Sequence, residues 1–231
     1  MACYALIPAA GTGTRFREEI PKQYLPLAGR PMLWHAVKSV CSAPIENVFV
    51  VLAPEDRQFA SFDWSAFAGR LEPLYCGGQA RRDSVYNGLV AAMAAVQADD
   101  WILVHDAARP CLPRRDFDNL VRECEADEIG GILALPVAET VKKASKDEAG
   151  VQRVAATEDR AQLWLAQTPQ MFRAGLLAQA LRRASGSVTD EASAIEQMGL
   201  RPRLVTGSRE NLKVTFPEDL ALAEACLAGR R

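Results

Sequence analysis

A glycine-rich loop near the start of the chain carries the strongest chemical signal in the sequence. It spans residues 8–15 (PAAGTGTR) and follows a short apolar run. Small side chains let a backbone approach a ligand closely, and successive free N–H groups form a nest for anions. The GxxxxGK[ST] phosphate loop is absent, and Phe16 stands where a dinucleotide fingerprint has its third glycine. The loop alone therefore indicates either an anion site or a tight glycine turn.

Two cations beside this loop favour a triphosphate ligand. Arg15 ends the loop, and Lys22 follows in a Pro-Lys-Gln segment. At about 4 Å and an effective dielectric near 20, one such charge is worth roughly 4 kcal/mol against a phosphate charge. Charge accumulates on phosphoryl oxygens during transfer, so positioned cations can supply much of the catalysis. The alternative is that Lys22 is an ordinary solvated lysine.

Isolated polar residues further along the chain could complete such a site. His105 and Asp106 end an apolar run, where open parallel sheets bind ligands, although they could also cap the strand. Thr168 could be part of a turn, and Thr189 could cap a helix. Lys213 lies between apolar residues: it needs an anion if it points inward and has no role if it faces solvent.

Composition narrows the class of protein. The chain has 231 residues, 49% hydrophobic and 24% charged, which suits a globular domain. Its 27 basic and 29 acidic residues give a net charge of -2, which argues against nucleic acid as a partner. The six cysteines include no C-x-x-C pair, so they indicate buried side chains in a reducing compartment rather than a zinc site. With no leader or long apolar segment in view, we expect a cytoplasmic protein without a membrane partner.

Alternating short apolar runs and helical patterns predict an α/β fold: a single Rossmann-like domain over residues 1–231, with a mostly parallel sheet flanked by helices. The predicted strands are 4–8, 48–53, 71–76, 101–104, 131–136, 203–206 and 211–214. The predicted helices are 31–41, 80–97, 174–184, 190–198 and one opened by a capping box at 215–218 and ending near 227. Residues 139–160 form a charged hairpin that can bury little of itself, which predicts a projecting β-arm.

The motifs, taken in order, resemble the nucleotidyltransferase family that joins CTP to 2-C-methyl-D-erythritol 4-phosphate. The matching segments are 9–15, 21–24 (PKQY), 82–85 (RDSV), 104–110 (VHDAARP), 167–170 (QTPQ), 189–194 (TDEASA) and 211–215 (NLKVT). Each segment is weak by itself. The ordered set is specific and extends over nearly the whole chain.

The resemblance implies roles for particular residues. The CTP site would comprise Ala9, Ala10, Gly11, Gly13, Arg15, Gly78 and Ser84. The acceptor site would comprise Asp106, Ala107, Arg109, Thr168, Thr189 and Lys213. Gln79 departs from relatives that are acidic at this position, which makes the reading of cytosine by that side chain less secure.

The resemblance also implies a shared site and a metal. Thr140 and Arg160 would reach into the neighbouring subunit, which predicts a homodimer. The candidate catalytic cations are Arg15, Lys22, Arg160 and Lys213. Mg²⁺ is the expected cofactor on the triphosphate, with Asp106 as the candidate protein ligand.

The implied reaction needs no protein nucleophile. The acceptor phosphate, with a second pKa of about 6, is already largely ionised at neutral pH and can attack the α-phosphorus of CTP. The sequence agrees, since it lacks a G-x-S-x-G elbow and has only two histidines, His35 and His105. Two alternatives stay open: an acceptor such as ribitol 5-phosphate, and a nucleotide-binding module without catalysis.

Overall fold

The computed structural model describes residues 1–11 and 20–229. Its strands are β1 (Cys3–Pro8), β2 (Pro26–Leu27), β3 (Arg30–Pro31), β4 (Ile45–Val51), β5 (Leu71–Leu74), β6 (Trp101–Val104), β7 (Gly130–Pro136), β8 (Val141–Lys146), β9 (Gln152–Glu158), β10 (Trp164–Arg173) and β11 (Arg203–Thr206). Its helices are α1 (Met32–Val40), α2 (Arg81–Ala92), α3 (Arg114–Glu125), α4 (Ala174–Arg183), α5 (Glu191–Glu196) and α6 (Asp219–Ala228).

One large sheet organises the described part of the chain. Its seven strands run in the order β11-β7-β10-β6-β1-β4-β5. β10 pairs antiparallel with both of its neighbours, whereas the other pairings in this sheet are parallel. The predicted α/β fold, a mostly parallel sheet flanked by helices, is confirmed.

Helices cover both faces of this sheet because its strands are apolar on both sides. On one face, Ile7 belongs to a core cluster with Val37 of α1 and Phe117 of α3. On the other face, the neighbouring Leu6 packs in a cluster with Leu89 of α2, and this cluster extends to α4 and α5. With both faces covered, only the edges and the strand ends can hold a ligand.

The structure corrects two local predictions near the C-terminus. The segment 211–214, predicted to be a strand, is irregular: the Val214 N–H donates to the Ala108 carbonyl outside any sheet. The predicted capping box does not open the last helix at Thr215. The carboxylate of Asp219 accepts from the N–H groups of Thr215 and Phe216, so this stretch is a turn and α6 begins at Asp219.

Besides the two-residue strands β2 and β3, two long elements were absent from the sequence-based prediction. One is α3, and the other is β10, which inserts between β6 and β7. Thr168 and Pro169, considered as a turn, lie inside β10 at a point where its pairing with β7 is interrupted. There the Thr168 carbonyl accepts from the Asn211 side-chain amide at 2.8 Å.

The predicted hairpin is present. β8 and β9 pair only with each other among the described strands, and every residue of β9 is exposed. The Asp147 carboxylate closes the turn by accepting from the N–H groups of Ala149 and Val151. We refer to residues 139–160 as the arm.

Two buried cysteines have strongly raised thiol pKa values. Burial raises the pKa of the Cys3 and Cys124 thiols to about 12, so both pack as small apolar groups.

Within residues 1–11 and 20–229, no helix has the length and apolar character needed to cross a bilayer.

Candidate active site

The carboxyl ends of β1, β5 and β6 open onto one cavity of about 490 Å³, which we call the first cavity. This is the edge of an open α/β sheet at which ligands bind. Its lining residues are Pro8, Ala9, Ala10, Gly11, Lys22, Gln23, Met32, Gly78, Gln79, Ala80, Arg81, Ser84, Asp106, Ala107, Ala108 and Lys213.

Gly77, which directly precedes the cavity-lining residue Gly78, has no room for a side chain. A Cβ placed on Gly77 would lie 2.3 Å from the Ala10 Cβ and 2.8 Å from the Leu52 carbonyl oxygen. The loops that follow β1 and β5 are therefore in direct contact. Next to it, the Gly78 N–H donates to Ser84 Oγ at 3.0 Å, which holds this backbone in place. Such a close, ordered backbone can read the edge of a base.

The side of this cavity nearest β1 is held by two residues of a short 3-10 turn, Lys22–Tyr24. The buried Gln23 amide donates to the Ala9 carbonyl at 2.7 Å and so fixes the backbone just after β1. The Lys22 ammonium donates to the Val214 carbonyl at 2.8 Å. Lys22 thus places a positive charge on the cavity wall. The predicted residues Gly13 and Arg15 lie outside the described residues.

A second cavity of about 190 Å³ adjoins the first. Its lining residues are Arg81, Asp106, Arg109, Ala166, Gln167, Thr168, Gln170, Thr189, Asp190 and Lys213. Three of them, Arg81, Asp106 and Lys213, also line the first cavity. We call these three residues the partition.

Asp106 is the centre of the charge arrangement at the partition. Arg81 Nε donates to its Oδ1 at 3.0 Å, and Lys213 Nζ lies 2.8 Å from its Oδ2. Arg109 Nε is 3.9 Å from the same Oδ2. Burial opposes ionisation of this carboxyl, but the three cations outweigh burial and hold the pKa of Asp106 well below its usual range. Asp106 is therefore a carboxylate at neutral pH.

Arg109 is a buried cation held mainly by carbonyl oxygens. Its Nη1 donates to the Asn211 carbonyl at 2.6 Å and its Nη2 to the Ala166 carbonyl at 3.4 Å. Its Nε has no hydrogen-bond partner within the described ranges. Carbonyls fix the guanidinium without neutralising it, so its charge is available to an anion in the second cavity.

A buried hydrogen-bond chain orients the backbone at Asp106. The Asp106 N–H donates to Thr168 Oγ1 at 2.9 Å, and that hydroxyl lies 3.1 Å from His105 Nδ1. His105 Nε2 is 3.0 Å from the Arg109 carbonyl, which can only accept, so Nε2 carries the proton and Nδ1 accepts from Thr168. Burial lowers the pKa of His105 to about 4, which keeps the ring neutral at pH 7. His105 is thus a structural hydrogen-bonding group.

The structure brings most of the predicted site residues together. Ala9, Ala10, Gly11, Lys22, Gly78, Ser84 and Ala107 line the first cavity. Arg109, Thr168 and Thr189 line the second, whereas Asp106 and Lys213 line both. Thr140 and Arg160 line neither cavity; the Arg160 guanidinium donates to the Ala138 carbonyl, just before the arm.

Two alternatives that the sequence left open are decided by these contacts. Lys213 points to an anion, Asp106, rather than standing on the solvent side of a strand. The N-cap of α5 is Asp190, which accepts from the Ser193 N–H, and not Thr189. Thr189 therefore has no capping role and lines the second cavity.

Sequence reasoning missed Arg81 and Glu191. Arg81 directly precedes one matching motif, and Glu191 lies within another, but neither was assigned a role. Their ion pair joins residues distant in sequence, and no local pattern pointed to it.

The fit of a metal can be judged from the available carboxylates. Residues 1–11 and 20–229 contain no group of three or more His, Cys, Asp or Glu side chains arranged to hold an ion. Both oxygens of Asp106 contact cationic side chains. This donor set suits an ion held mainly by phosphate oxygens, as Mg²⁺ often is. The assignment of Asp106 as a metal ligand stays a prediction.

Comparison with known proteins agrees with this arrangement. A family model described as 2-C-methyl-D-erythritol 4-phosphate cytidylyltransferase matches residues 3–229. The protein of that name from Dechloromonas aromatica is 54% identical, with 99% of this chain and 98% of the relative covered. The one from Laribacter hongkongensis is 56% identical, with 97% of this chain and 96% of the relative covered.

Solved structures of the same kind match the fold. A crystal structure of the cytidylyltransferase from Francisella tularensis has a TM-score of 0.81 and 34% identity, covering 98% of this chain and all of that one. A 4-diphosphocytidyl-2C-methyl-D-erythritol synthase has a TM-score of 0.84 and 39% identity, covering 98% of both chains. With two joined cavities, an ordered set of motifs and matches over nearly its whole length, the chain belongs to the 2-C-methyl-D-erythritol 4-phosphate cytidylyltransferase family.

Proposed function

We propose that this enzyme transfers CMP from CTP to the phosphate of 2-C-methyl-D-erythritol 4-phosphate. The products are 4-diphosphocytidyl-2-C-methyl-D-erythritol and pyrophosphate, and the reaction belongs to isoprenoid precursor biosynthesis. The observation that carries the proposal is the pair of cavities joined at the partition, one large enough for a nucleotide and the other for a small polyol phosphate.

CTP occupies the first cavity in this proposal. The backbone at Gly78 reads the cytosine, since no side chain intervenes there. The loop at Ala9, Ala10 and Gly11 and the ammonium of Lys22 face the triphosphate. Arg15 adds a second cation from the same loop. These charges offset the repulsion between two anionic substrates, which is the main barrier to their meeting.

The acceptor occupies the second cavity. Its phosphate meets the charges of Arg109 and Lys213, which lie on the cavity wall. Its hydroxyl groups bond to the ionised Asp106 and to Thr189. An ionised carboxylate is a strong acceptor for hydroxyl protons, so Asp106 orients the polyol rather than repelling the phosphate.

The reaction itself is an in-line displacement. An oxygen of the acceptor phosphate forms a bond to the α-phosphorus of CTP while the bond from that phosphorus to the β-phosphate oxygen breaks. The electron pair leaves with pyrophosphate. Mg²⁺, when bound to the triphosphate, supplies charge neutralisation, with Asp106 as the candidate protein ligand. Lys22 binds CTP on one side of the partition, and Lys213 binds the acceptor on the other.

Pyrophosphate release with a substrate panel tests this proposal. The full chain is assayed with CTP, UTP, ATP and GTP against 2-C-methyl-D-erythritol 4-phosphate and ribitol 5-phosphate. CTP with the methylerythritol phosphate is expected to have the highest kcat/KM. A faster reaction with ribitol 5-phosphate would identify the other acceptor. Nucleotide binding without pyrophosphate from any pair would identify a non-catalytic module.

We also infer that the active form is a homodimer in the cytoplasm, without nucleic-acid or membrane partners. Large apolar side chains are exposed on and beside the arm, namely Val154, Leu163, Trp164 and Leu165. Exposed apolar side chains of this size favour a protein partner, and a second copy would cover them. Thr140 and Arg160 then reach the partner's acceptor cavity. The net charge of -2 supports the absence of nucleic acid.

Shortening the arm between Val141 and Ala156 is expected to reduce both dimer content and turnover. Shortening the arm displaces Thr140 and Arg160 from the partner's acceptor cavity. A hydrogen bond to a charged group contributes roughly 1.5–3 kcal/mol, so kcat/KM should fall by about tenfold or more. Light scattering after size exclusion and pyrophosphate release measure the two effects. The control is Glu148→Gln in the exposed turn of the arm, expected to change neither. A fully active monomer would refute the shared site.

A further inference from the structure

We propose that Glu191 and Arg81 form a positioning pair that fixes Asp106 at the partition and thereby sets the affinity for the acceptor. The inference rests on the proposed function, because the acceptor is the substrate that Asp106 orients there. Neither residue was assigned a role by the motifs of the sequence.

Arg81 joins two carboxylates with one planar group. Its Nη1 and Nη2 donate to the two oxygens of Glu191 at 2.6 and 3.1 Å. Its Nε donates to Asp106 Oδ1 at 3.0 Å, and Nη2 lies 2.9 Å from the same oxygen. A guanidinium presents five donors in a rigid fork, so fixing its plane on Glu191 also fixes Asp106. The single ammonium of a lysine cannot reproduce this geometry.

Glu191 acts only through Arg81. Its side chain is 1% exposed and lines neither cavity, so no substrate can touch it. A carboxylate this deeply buried is costly unless it is paired, and the bidentate contact with Arg81 is its pairing. Its effect on catalysis must therefore pass through the guanidinium.

The sheet holds Glu191 in place. The Gln170 carboxamide of β10 accepts from the Ala192 N–H at 2.8 Å and donates to the Asp190 carboxylate at 2.8 Å. Glu191 lies between these two anchored residues, at the first turn of α5. β10 also carries Thr168, which bonds to the Asp106 N–H. Through these contacts, β10 positions both the backbone and the side chain of Asp106.

Charge alternates along this row of side chains. Glu191, Arg81, Asp106 and Lys213 are negative, positive, negative and positive, with contacts of 2.6, 2.9 and 2.8 Å between successive members. The row is neutral as a whole, so the charge of Arg109 is left for the acceptor phosphate. Without Glu191, Arg81 gains freedom to turn and its charge is no longer balanced on the side away from substrate. Asp106 then loses its fixed orientation.

Glu191→Gln tests the pair, because it keeps the shape and removes the charge. In the full-length enzyme it is expected to raise the KM for 2-C-methyl-D-erythritol 4-phosphate about tenfold or more, the loss typical of a broken charged hydrogen bond. The KM for CTP should stay within about twofold. The matched control is Glu196→Gln, the same change at an exposed position of the same helix, expected to leave both KM values unaltered.

A second variant separates positioning from a general structural role. Arg81→Lys keeps the positive charge but cannot span both carboxylates. If Glu191 acts through Arg81, adding Glu191→Gln to Arg81→Lys should raise the acceptor KM little further. Glu191→Asp, which restores the negative charge, should recover part of the acceptor affinity. It also keeps the measurement possible if the glutamine variant does not fold.

Three outcomes would overturn the inference: additive effects of the two substitutions, equal rises in both KM values, or an unchanged acceptor KM in Glu191→Gln. Each presupposes that the wild-type enzyme releases pyrophosphate with the methylerythritol phosphate. A wild-type enzyme without that activity would instead refute the proposed function.

Discussion

Lys213→Ala is expected to raise the KM for 2-C-methyl-D-erythritol 4-phosphate by roughly ten- to a hundredfold, because a charged hydrogen bond contributes about 1.5–3 kcal/mol. The Lys213 ammonium lies 2.8 Å from Asp106 and on the wall of the second cavity. Its removal takes away a cation that, in the proposed function, binds the acceptor phosphate. Steady-state kinetics with each substrate varied in turn measure the effect.

In the same variant, Lys213→Ala, the KM for CTP should rise several-fold less than the KM for the acceptor. Lys213 also lines the first cavity, but Lys22 remains there and, in the proposed function, binds the triphosphate. The fold should survive, because the Lys213 side chain is 46% exposed and Asp106 keeps its contacts with Arg81 and Arg109. Lys38→Ala, at an exposed lysine on α1 that lines neither cavity, is the control. Equal rises in both KM values would contradict the assigned role.

Gly77→Ala is expected to impair CTP binding by tenfold or more and to lower the melting temperature. The added Cβ would lie 2.3 Å from the Ala10 Cβ and 2.8 Å from the Leu52 carbonyl oxygen, and neither atom can move without its backbone. The loops after β1 and β5 must then separate. A displacement of about 1 Å at a reacting centre can cost on the order of a hundredfold in rate.

Overpacking of this kind typically costs about 1–3 kcal/mol. For a chain of this size, each kcal/mol corresponds to a shift in Tm of roughly 2–4 °C. Calorimetric titration with CTP and thermal unfolding measure the two effects. Gly229→Ala is the matched control: its Cβ would meet nothing closer than 3.7 Å, so neither quantity should change. Normal CTP affinity in Gly77→Ala would show that the contact between the two loops does not shape the nucleotide cavity.

Much of the fold could be predicted from the sequence, because its signals are local. The strands β1 and β6 are continuous apolar runs, β4 contains one at residues 48–51, and the helices α1 and α4 show one apolar face each. A strand buried on both sides can be predicted from its own composition, without knowledge of the strands that pair with it. The arm can also be predicted from its own sequence, because its charged residues exclude it from the core.

Motifs in a specific order also predicted many of the residues that line the two cavities. It did not determine how they face one another. Lys213 was assigned to a strand, yet its segment is irregular, and its ammonium is held by Asp106 from another loop. Thr168 was considered as a turn residue, yet it lies in β10 and fixes the Asp106 backbone.

Tertiary structure alone decided the insertion of β10 and the row of charges from Glu191 to Lys213. Both depend on contacts between residues far apart in the chain, such as Arg81 with Glu191. The periodicity of a segment reports which of its faces is buried, but it carries no information about the partner on the other side. For charged side chains the partner decides the outcome, because a buried charge is tolerated only where an opposite charge meets it.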